Sequence, residues 1–264
     1  NVKMKKIIFI VLCISFYVTG NALSAEISWM HVQHREYGNG KAVNRLGFGL
    51  IDDRGNYVTY NRNVKEVKLY DADKKELKLA PLNFDSVEEI FGTYDSKNSQ
   101  WFYKKGWQID SWYYAEIMGS LNPGMYGLKV KTADGKIAER TFKFNRHIAL
   151  PIIDSDTIRL QPDLNGNLIW TWKLPIEMGQ LALKHKTRAR ASIDIYKNEK
   201  NVGYFYIILP VHLAFMFIPT DVAQILNQKG DRFELKIQIE TRDKNNRTYS
   251  NPLTINKMLP IASK

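Results

Sequence analysis

The residues of this chain best suited to contact a ligand are aromatic, and many of them lie in one stretch. Residues 101–114, WFYKKGWQIDSWYY, place seven aromatic side chains in fourteen positions. Aromatic faces stack on sugar rings while nearby polar groups bond to hydroxyls, and the same composition is equally typical of protein interfaces. The residues that we expect to contact such a ligand are Trp101, Tyr103, Lys105, Trp107, Trp112 and Tyr113.

The same stretch also fits a strand with one buried face. Consecutive side chains of a strand point to opposite sides of the sheet, so the consecutive aromatics cannot all enter one core. Trp112 then shares a face with Tyr114, whereas Tyr113 shares the other face with Ala115 and Ile117. We expect one set to lie in a core and the other to be exposed or packed against a neighbouring element.

A second candidate surface is basic. Residues 184–190, KHKTRAR, carry Lys184, Lys186, Arg188 and Arg190 at alternate positions. In an extended chain these four side chains share one face, which makes a cationic stripe able to meet an anionic glycan or a phospholipid head group. The alternative is a solvated sheet edge whose lysines discourage strand-to-strand aggregation.

The chain contains no motif that predicts a metal, a cofactor or a catalytic nucleophile. His31 and His34 are three apart, so in a strand they face opposite sides of the sheet. There is no Gly-x-Ser-x-Gly elbow, and the only cysteine, Cys13, lies in the predicted leader. We therefore predict no metal, no cofactor and no enzymatic activity. A hydrolase would require a pair of carboxylates that only the fold could bring together.

The first 25 residues have the order of a secretory signal peptide. Two lysines after Met4 precede an apolar run from Ile7 to Val18, and the small residues Ala22 and Ser24 follow. Such a run rises only about 18 Å as a helix, which is too short for a hydrocarbon core of about 30 Å. We expect no permanent membrane span after leader removal, and an exported protein that is periplasmic or extracellular.

The charge of the chain is positive but spread out. The formal net charge is +11, which favours weak association with anionic surfaces. A nucleic-acid reader would concentrate this charge in one stripe, so we expect no nucleic-acid partner.

Beyond the leader, the sequence predicts strands throughout. Apolar residues recur with a period close to two, and turn signals such as the Asp134-Gly135 pair interrupt them. Two exceptions are helical turns predicted at 86–91 and at 221–228. Pro151 follows a strong strand, and we place a boundary there between domains 26–150 and 151–264.

Several of these segments resemble fibronectin type III and immunoglobulin-like domains. The segments NLIWTWKLP (167–175), ASIDIYKN (191–198) and residues 233–255 are similar to fibronectin type III strands, and LNPGMYGLKVKTADGK (121–136) resembles the approach to a penultimate strand. The resemblance implies an all-β fold of two tandem antiparallel β-sandwich domains after the signal peptide. It also implies that Tyr126 is a corner tyrosine bonded to nearby backbone, with Phe233 at the corresponding position of the second half.

These features together predict a non-catalytic binding or spacer protein of the cell envelope or the extracellular space. Its partner would be a polysaccharide or an envelope protein. One alternative is a structural protein that self-associates through sheet edges. A glycan-active hydrolase is a minor alternative.

Overall fold

The protein was analysed as a computed structural model that describes residues 26–58, 63–104 and 106–260. The predicted leader, residues 1–25, lies outside the described residues. In this part of the chain the elements are β1 (Glu26–Tyr37), β2 (Ala42–Ile51), β3 (Val64–Tyr70), β4 (Glu76–Leu77), β5 (Asn83–Asp95), β6 (Gln100–Tyr103), β7 (Gln108–Glu116), β8 (Gly124–Thr132), β9 (Ile137–Phe144), a 3-10 turn (Ser155–Thr157), β10 (Arg159–Pro162), β11 (Leu168–Thr171), α1 (Met178–His185), β12 (Thr187–Lys197), β13 (Lys200–Pro210), β14 (Phe215–Ile218), α2 (Thr220–Lys229), β15 (Arg232–Thr241), β16 (Asn246–Tyr249) and β17 (Leu253–Asn256).

Eight strands form one closed, barrel-like sheet. Their order around the ring is β12, β13, β5, β7, β2, β1, β16 and β15, and β15 pairs back to β12. Four of these strands come from the first half of the chain and four from the second. The halves meet at two parallel seams, β5 with β13 and β1 with β16, whereas the other neighbours in the ring are antiparallel. Strands β6 and β17 extend this sheet by pairing with β5 and β15.

Two smaller sheets cover the outside of the closed sheet. The first, in the order β4, β3, β8, β9, packs on the strands of the first half through a core that includes Phe48, Tyr113 and Tyr126. The second, in the order β10, β11, β14, packs with α2 on the strands of the second half through a core that includes Trp170 and Phe205. Each core therefore lies between the closed sheet and a flanking layer.

The strands of the closed sheet turn their apolar side chains outward and their polar side chains inward. In β12, Ala191 and Ile193 are fully buried in the second core, while the alternate residues Arg190 and Asp194 line an interior cavity. This follows from the period of two, since side chains at i and i+2 share a face of the sheet. The interior of the closed sheet is consequently polar.

The predicted all-β fold is confirmed, and several local predictions hold with it. Gly135 has a φ of +87° in the predicted turn between β8 and β9, a conformation that glycine adopts without strain. The hydroxyl of Tyr126 donates to the carbonyl of Asn122 at 2.9 Å and accepts from its N–H at 3.0 Å, as expected of a corner tyrosine. The helical turn predicted at 221–228 is α2.

Other local predictions were wrong. Residues 86–91, predicted as a helical turn, lie inside the long strand β5, because pairing with β7 and β13 outweighs the local helix signal. Residues 184–190 are not one extended run: α1 ends at His185, Lys186 takes a left-handed conformation, and β12 begins at Thr187. The expected pair of tandem sandwiches is not clearly seen in the described residues, since strands of both halves share the closed sheet.

Candidate binding cavity

A large cavity occupies the interior of the closed sheet. Its volume is about 920 Å³, which is within the range of pockets that hold small-molecule ligands. Every strand of the ring contributes to its lining, and most of the lining side chains are charged or aromatic. The charged ones are Arg35, Arg45, Asp85, Glu89, Asp110, Arg188, Arg190, Asp194, Lys236, Lys244 and Arg247, and the aromatic ones include Trp29, Tyr57, Trp112, Tyr114, Tyr204, Tyr206 and Tyr249.

Glycine at position 47 makes room for an aromatic pair on the cavity wall. A Cβ atom on Gly47 would lie 2.5 Å from Nε2 of His31, which is closer than such contacts occur in proteins. The ring of His31 therefore extends over β2 and stacks on Trp29 with 4.8 Å between ring centroids. Burial lowers the pKa of His31 well below its usual value, and the nearby charges of Arg35 and Arg247 lower it further, so this imidazole is neutral near pH 7.

The basic side chains of the cavity differ in whether they have an acidic partner. Glu240, 1% exposed, accepts from Nε of Arg188 at 2.5 Å and also bonds to Arg247. Burial alone would raise the pKa of Glu240, but Arg247 and Arg188 lower it to about 2. This buried cluster neutralises part of the basic charge of the cavity.

Three other arginines have no carboxylate within ion-pair distance among the described residues. Arg35 donates through Nε and Nη2 to Oε1 of Gln33, at 2.9 and 2.7 Å. The guanidinium of Arg45 lies over the ring of Tyr114, 3.6 Å from its centroid, and that of Arg190 lies 3.7 Å from the centroid of Tyr206. These arginines are thus held by neutral acceptors and aromatic faces.

Burial and the closeness of the arginines change the pKa values of the side chains on this part of the cavity. The pKa of Arg35 falls to about 10 because its side chain is buried, with a further contribution from Arg45 and Arg247. Burial would raise the pKa of Tyr249, but Arg247 and Arg35 hold it below its usual value. This wall of the cavity therefore has a positive potential.

Acidic side chains line the same cavity. Asp85 and Glu89 on β5 and Asp110 on β7 line the cavity, and these strands lie across the ring from β16 and β15. Burial raises the pKa of all three carboxyls, and Glu89 accepts from Nε2 of Gln108 at 2.6 Å. The cavity thus holds both arginines and carboxyls of raised pKa, and the charges of Arg45 and Arg190 partly offset the effect of burial on these carboxyls.

Several buried polar atoms of the cavity wall have no hydrogen-bond partner within the described structure. They include Nε of Arg45, Nε of Arg190 and Nε of Arg247. Buried donors in proteins are nearly always bonded. These three atoms have almost no accessible surface, so bonding them to an acceptor would require a local rearrangement of the side chains.

The residues that the sequence singled out are divided among the cavity, the two cores and the exposed surface near α1. Trp112, Arg188 and Arg190 line the cavity. Tyr113 points the other way, is 1% exposed, and stacks on Phe48 in the first core. Lys105 lies outside the described residues.

The aromatic residues before Trp112 pack on the outer side of the closed sheet. Trp101 and Tyr103 are partly buried against the second core, where Trp101 contacts Tyr94 with 4.5 Å between ring centroids. Trp107 also packs against this core, and the ammonium of Lys229 lies 4.8 Å from its ring centroid. The aromatic stretch is thus divided between a core and the cavity.

The basic segment is divided as well. Lys184 is exposed in the last turn of α1, and Lys186 is exposed at its left-handed cap. Arg188 and Arg190 point into the closed sheet. The four side chains therefore do not form one stripe.

Most of the basic cavity wall was missed by the sequence reasoning, including Arg35, Arg45 and Arg247. The signal was present in β1, where the polar residues Gln33 and Arg35 alternate with the apolar Met30 and Val32. A polar face of a strand normally indicates solvent, and nothing local reveals that this face closes on itself.

Comparison with known proteins gives no assignment. No protein-family model and no curated protein match the chain. Similar solved structures include the FN1-FN3 domains of chicken CNTN1, with a TM-score of 0.31 and 10% identity over 89% of this chain and 66% of that one. Another is Tp47, the 47-kilodalton lipoprotein of Treponema pallidum, with a TM-score of 0.28 and 12% identity over 86% and 51% of the two chains. The chain thus spans less than two thirds of either structure, and likeness of this degree carries no argument about function.

Each of the two α-helices found in the described ranges is too short or too polar to cross a membrane.

Proposed function

We propose that this is an exported, non-catalytic binding protein that holds a small acidic sugar, or a hydroxylated anion of similar size, inside the closed sheet. The observation that carries the proposal is the group of three cavity arginines without carboxylate partners, Arg35, Arg45 and Arg190. In this proposal, residues 26–150 and 151–264 are two sandwich-like halves that together build one binding site. Export rests on the predicted leader.

The basic wall favours an anionic group on the ligand. A guanidinium binds carboxylate or phosphate through paired hydrogen bonds, and its N–H groups have fixed directions. Nε of Arg45 and Nε of Arg190 lack partners within the described structure. A ligand anion that accepts from the guanidinium groups would offset the mutual repulsion of the arginines.

The remainder of the wall favours a ligand with rings and hydroxyls. The aromatic side chains Trp29 and Trp112 line the cavity, and aromatic faces pack well against the apolar face of a sugar ring. The carboxyls of Asp85 and Glu89 face the same space and can accept hydrogen bonds from hydroxyls. This combination suits a sugar acid better than a purely apolar or a purely ionic ligand.

The enclosure favours a small ligand over a protein surface. A protein partner typically requires about 800 Å² of accessible surface on each side, whereas these side chains converge on an interior space of about 920 Å³. That volume suits a ligand of one or a few sugar rings. The expected polysaccharide partner would then be bound as a short fragment or through one end.

The test is a calorimetric titration of the mature protein with glucuronate, N-acetylneuraminate and a sugar phosphate, with glucose as the neutral comparison. We expect saturable binding of at least one acid and none of glucose. Replacing one unpaired arginine, Arg45→Gln, should weaken that binding by tenfold or more, because it removes a charged donor from the wall.

Arg54→Gln is the matched control, since Arg54 is exposed in the turn after β2 and lies outside the cavity. It should bind as the wild type does. Equal affinity of wild type and Arg45→Gln for every acid, or binding of glucose as strong as that of glucuronate, would reject the cavity as an anion site.

A hydrolase is the second candidate, and one observation favours it. Glu89 and Asp110 are cavity carboxyls whose pKa values are raised by burial, and a raised pKa is what a general acid needs near neutral pH. The acid that binds should therefore also be offered as a glycoside with a chromogenic leaving group. Turnover that is lost in Glu89→Gln while binding persists would replace the non-catalytic proposal.

A further inference from the structure

Outside the cavity, two histidines and a glutamate converge on the outer face of β1. Nε2 of His34 and Nε2 of His147 each lie 3.3 Å from Oε1 of Glu36. The two imidazole rings are close, with 4.1 Å between centroids and an angle of 73° between their planes. His34 and Glu36 share a strand face because they are two apart, and His147 comes from the segment that connects the two halves of the chain.

We propose that His34, Glu36 and His147 form a binding site for a divalent transition metal, Zn²⁺ by its ligand set. Two imidazole nitrogens and a carboxylate oxygen are among the ligands that Zn²⁺ takes in proteins, at about 2.0–2.1 Å. In a tetrahedron with bonds of that length, the ligand atoms are about 3.3 Å apart. Both measured nitrogen-to-oxygen distances agree with that separation, and the three ligand atoms lie within 4.8 Å of one another.

The hydrogen bonds of His34 leave its Nε2 atom free to bind a metal. Nδ2 of Asn44 donates to the carbonyl of Gly119, which fixes the orientation of the amide, so Oδ1 of Asn44 faces Nδ1 of His34 at 2.9 Å. In a neutral imidazole the proton then lies on Nδ1, and Nε2 carries a lone pair. This arrangement, with the second ring nitrogen donating to an oxygen, is typical of metal-bound histidine.

The free lone pair of His34 faces a carboxylate oxygen. Both Nε2 of His34 and Oε1 of Glu36 are acceptors at 3.3 Å, so the contact is favourable only with a cation between them. That cation can be a proton on His34 or a metal ion. The second histidine aimed at the same oxygen favours a metal, which accepts three ligands at once.

The backbone around His147 is held in place without a metal. Asn246 bonds to both neighbours of His147: its Nδ2 donates to the carbonyl of Arg146 at 2.9 Å, and its Oδ1 accepts from the N–H of Ile148 at 2.9 Å. The site is therefore largely preorganised, and only the ring of His147 needs to move. The side chain of His147 is 49% exposed, which leaves a fourth position open to water.

The test uses the mature protein, freed of metal with a chelator and returned to chelator-free buffer at pH 7.5. Calorimetric titration with ZnCl₂ should show one ion bound per chain, with a dissociation constant in the micromolar range or below. Saturating Zn²⁺ should raise Tm by several degrees, since it binds the folded chain preferentially. Co²⁺ in place of Zn²⁺ should give visible absorption bands of a four-coordinate site.

His147→Gln and Glu36→Gln should each weaken Zn²⁺ binding by at least tenfold and remove the rise in Tm. His212→Gln is the matched control, because His212 is exposed and distant from this cluster. The metal-free Tm of each variant reports whether it folds. Because the two substitutions lie in different parts of the chain, one variant still tests the site if the other fails to fold. Absence of saturable Zn²⁺ binding, or equal binding by wild type, His147→Gln and Glu36→Gln, would overturn the proposal and leave a proton as the bridging cation.

Discussion

Arg35, Arg45 and Arg190 keep guanidinium groups inside the closed sheet without carboxylate partners in the described structure. Burying such a charge is unfavourable unless hydrogen bonds or aromatic faces replace water. Gln33 and the rings of Tyr114 and Tyr206 supply this replacement. In the proposed anion site these charges would be held in position before the anion binds, and such preorganisation raises affinity by reducing the cost of ordering on binding.

Arg188 and Arg247, unlike the three unpaired arginines, share the carboxylate of Glu240. The substitution Glu240→Gln measures how much this ion-pair cluster contributes to stability. Glu240→Gln leaves Arg188 and Arg247 facing each other without their shared anion, and breaking a buried ion pair typically costs about 3–5 kcal/mol. We expect the variant to lose about 3 kcal/mol of unfolding free energy at pH 7, measured by urea denaturation. Glu66→Gln, which removes an exposed ion pair to Lys68, should lose less than about 1 kcal/mol.

The pH dependence of the unfolding free energy is a second measurement of the Glu240 ion pairs. The pKa of Glu240 falls from an ordinary value of 4.5 in the unfolded chain to about 2 in the folded protein. Its stabilising contribution is therefore complete above pH 4.5 and is lost as the pH falls towards 2. The stability difference between wild type and Glu240→Gln should shrink over this interval, and a difference independent of pH would contradict the ion-pair assignment.

At the scale of elements, two parallel seams decide the architecture. The pairing of β5 with β13 and of β1 with β16 joins strands that are far apart in the sequence. Without these seams, each half would present two unpaired strands at the edges of an open sheet, and its polar interior face would be exposed to water. Closure of the ring satisfies these backbone groups and removes edges that could pair with another chain.

We therefore predict that the halves do not fold separately. Residues 26–150 and 151–264 expressed apart should give chains that aggregate or lack near-ultraviolet circular dichroism, because each loses both seams. Co-expression should restore a complex with the spectrum of the whole protein. Two independently folded monomers with cooperative unfolding would instead support the tandem sandwich arrangement expected from the sequence.

The sequence could predict the strands but not their partners. The alternation in β12 and β15, and the turn at Asp134-Gly135, are local signals and correspond to strands and a turn in the structure. The pairing of β1 with β16 depends on contacts between residues some two hundred positions apart, for which neither strand carries a local signal. For the same reason, the cavity could be anticipated only at residues that already looked functional, such as Trp112 and Arg190, and not at Arg35 or Arg45.

At the scale of the whole molecule, the positive charge is partly internal. The formal net charge is +11. Among the described residues, seven basic side chains line the cavity, namely Arg35, Arg45, Arg188, Arg190, Lys236, Lys244 and Arg247. A low-dielectric wall around converging charges strengthens their field and favours anions over neutral solutes. The interior therefore contributes a part of the positive charge, and the larger part lies elsewhere in the chain.

The acidic side chains of the cavity should make the proposed anion binding sensitive to pH. Burial raises the pKa of Asp85, Glu89 and Asp110, so these carboxyls become neutral at a higher pH than exposed carboxyls do. Loss of their negative charge increases the positive potential of the cavity, while His31, with its lowered pKa, adds little. We expect the affinity for a bound sugar acid to rise between pH 8 and pH 5, measured by calorimetry at constant ionic strength.

Glu89→Gln is the comparison for that measurement, because it removes one of the titrating groups and should flatten the rise. An affinity that falls towards pH 5 would show that the carboxyls act on the ligand as hydrogen-bond acceptors more than as repulsive charges.

Because both cores lie outside the closed sheet, substitutions that face the cavity are separated from the residues that stabilise the fold. Alternate residues of the ring strands have different roles. Ile193 and Phe205 pack in the second core, whereas Arg190 and Tyr206 line the cavity. A substitution at an inward position outside the Glu240 cluster would therefore change the proposed ligand contacts while leaving the packing of the outer layers intact. With the proposed function, the interior would be a suitable surface for directed evolution of new binding specificities.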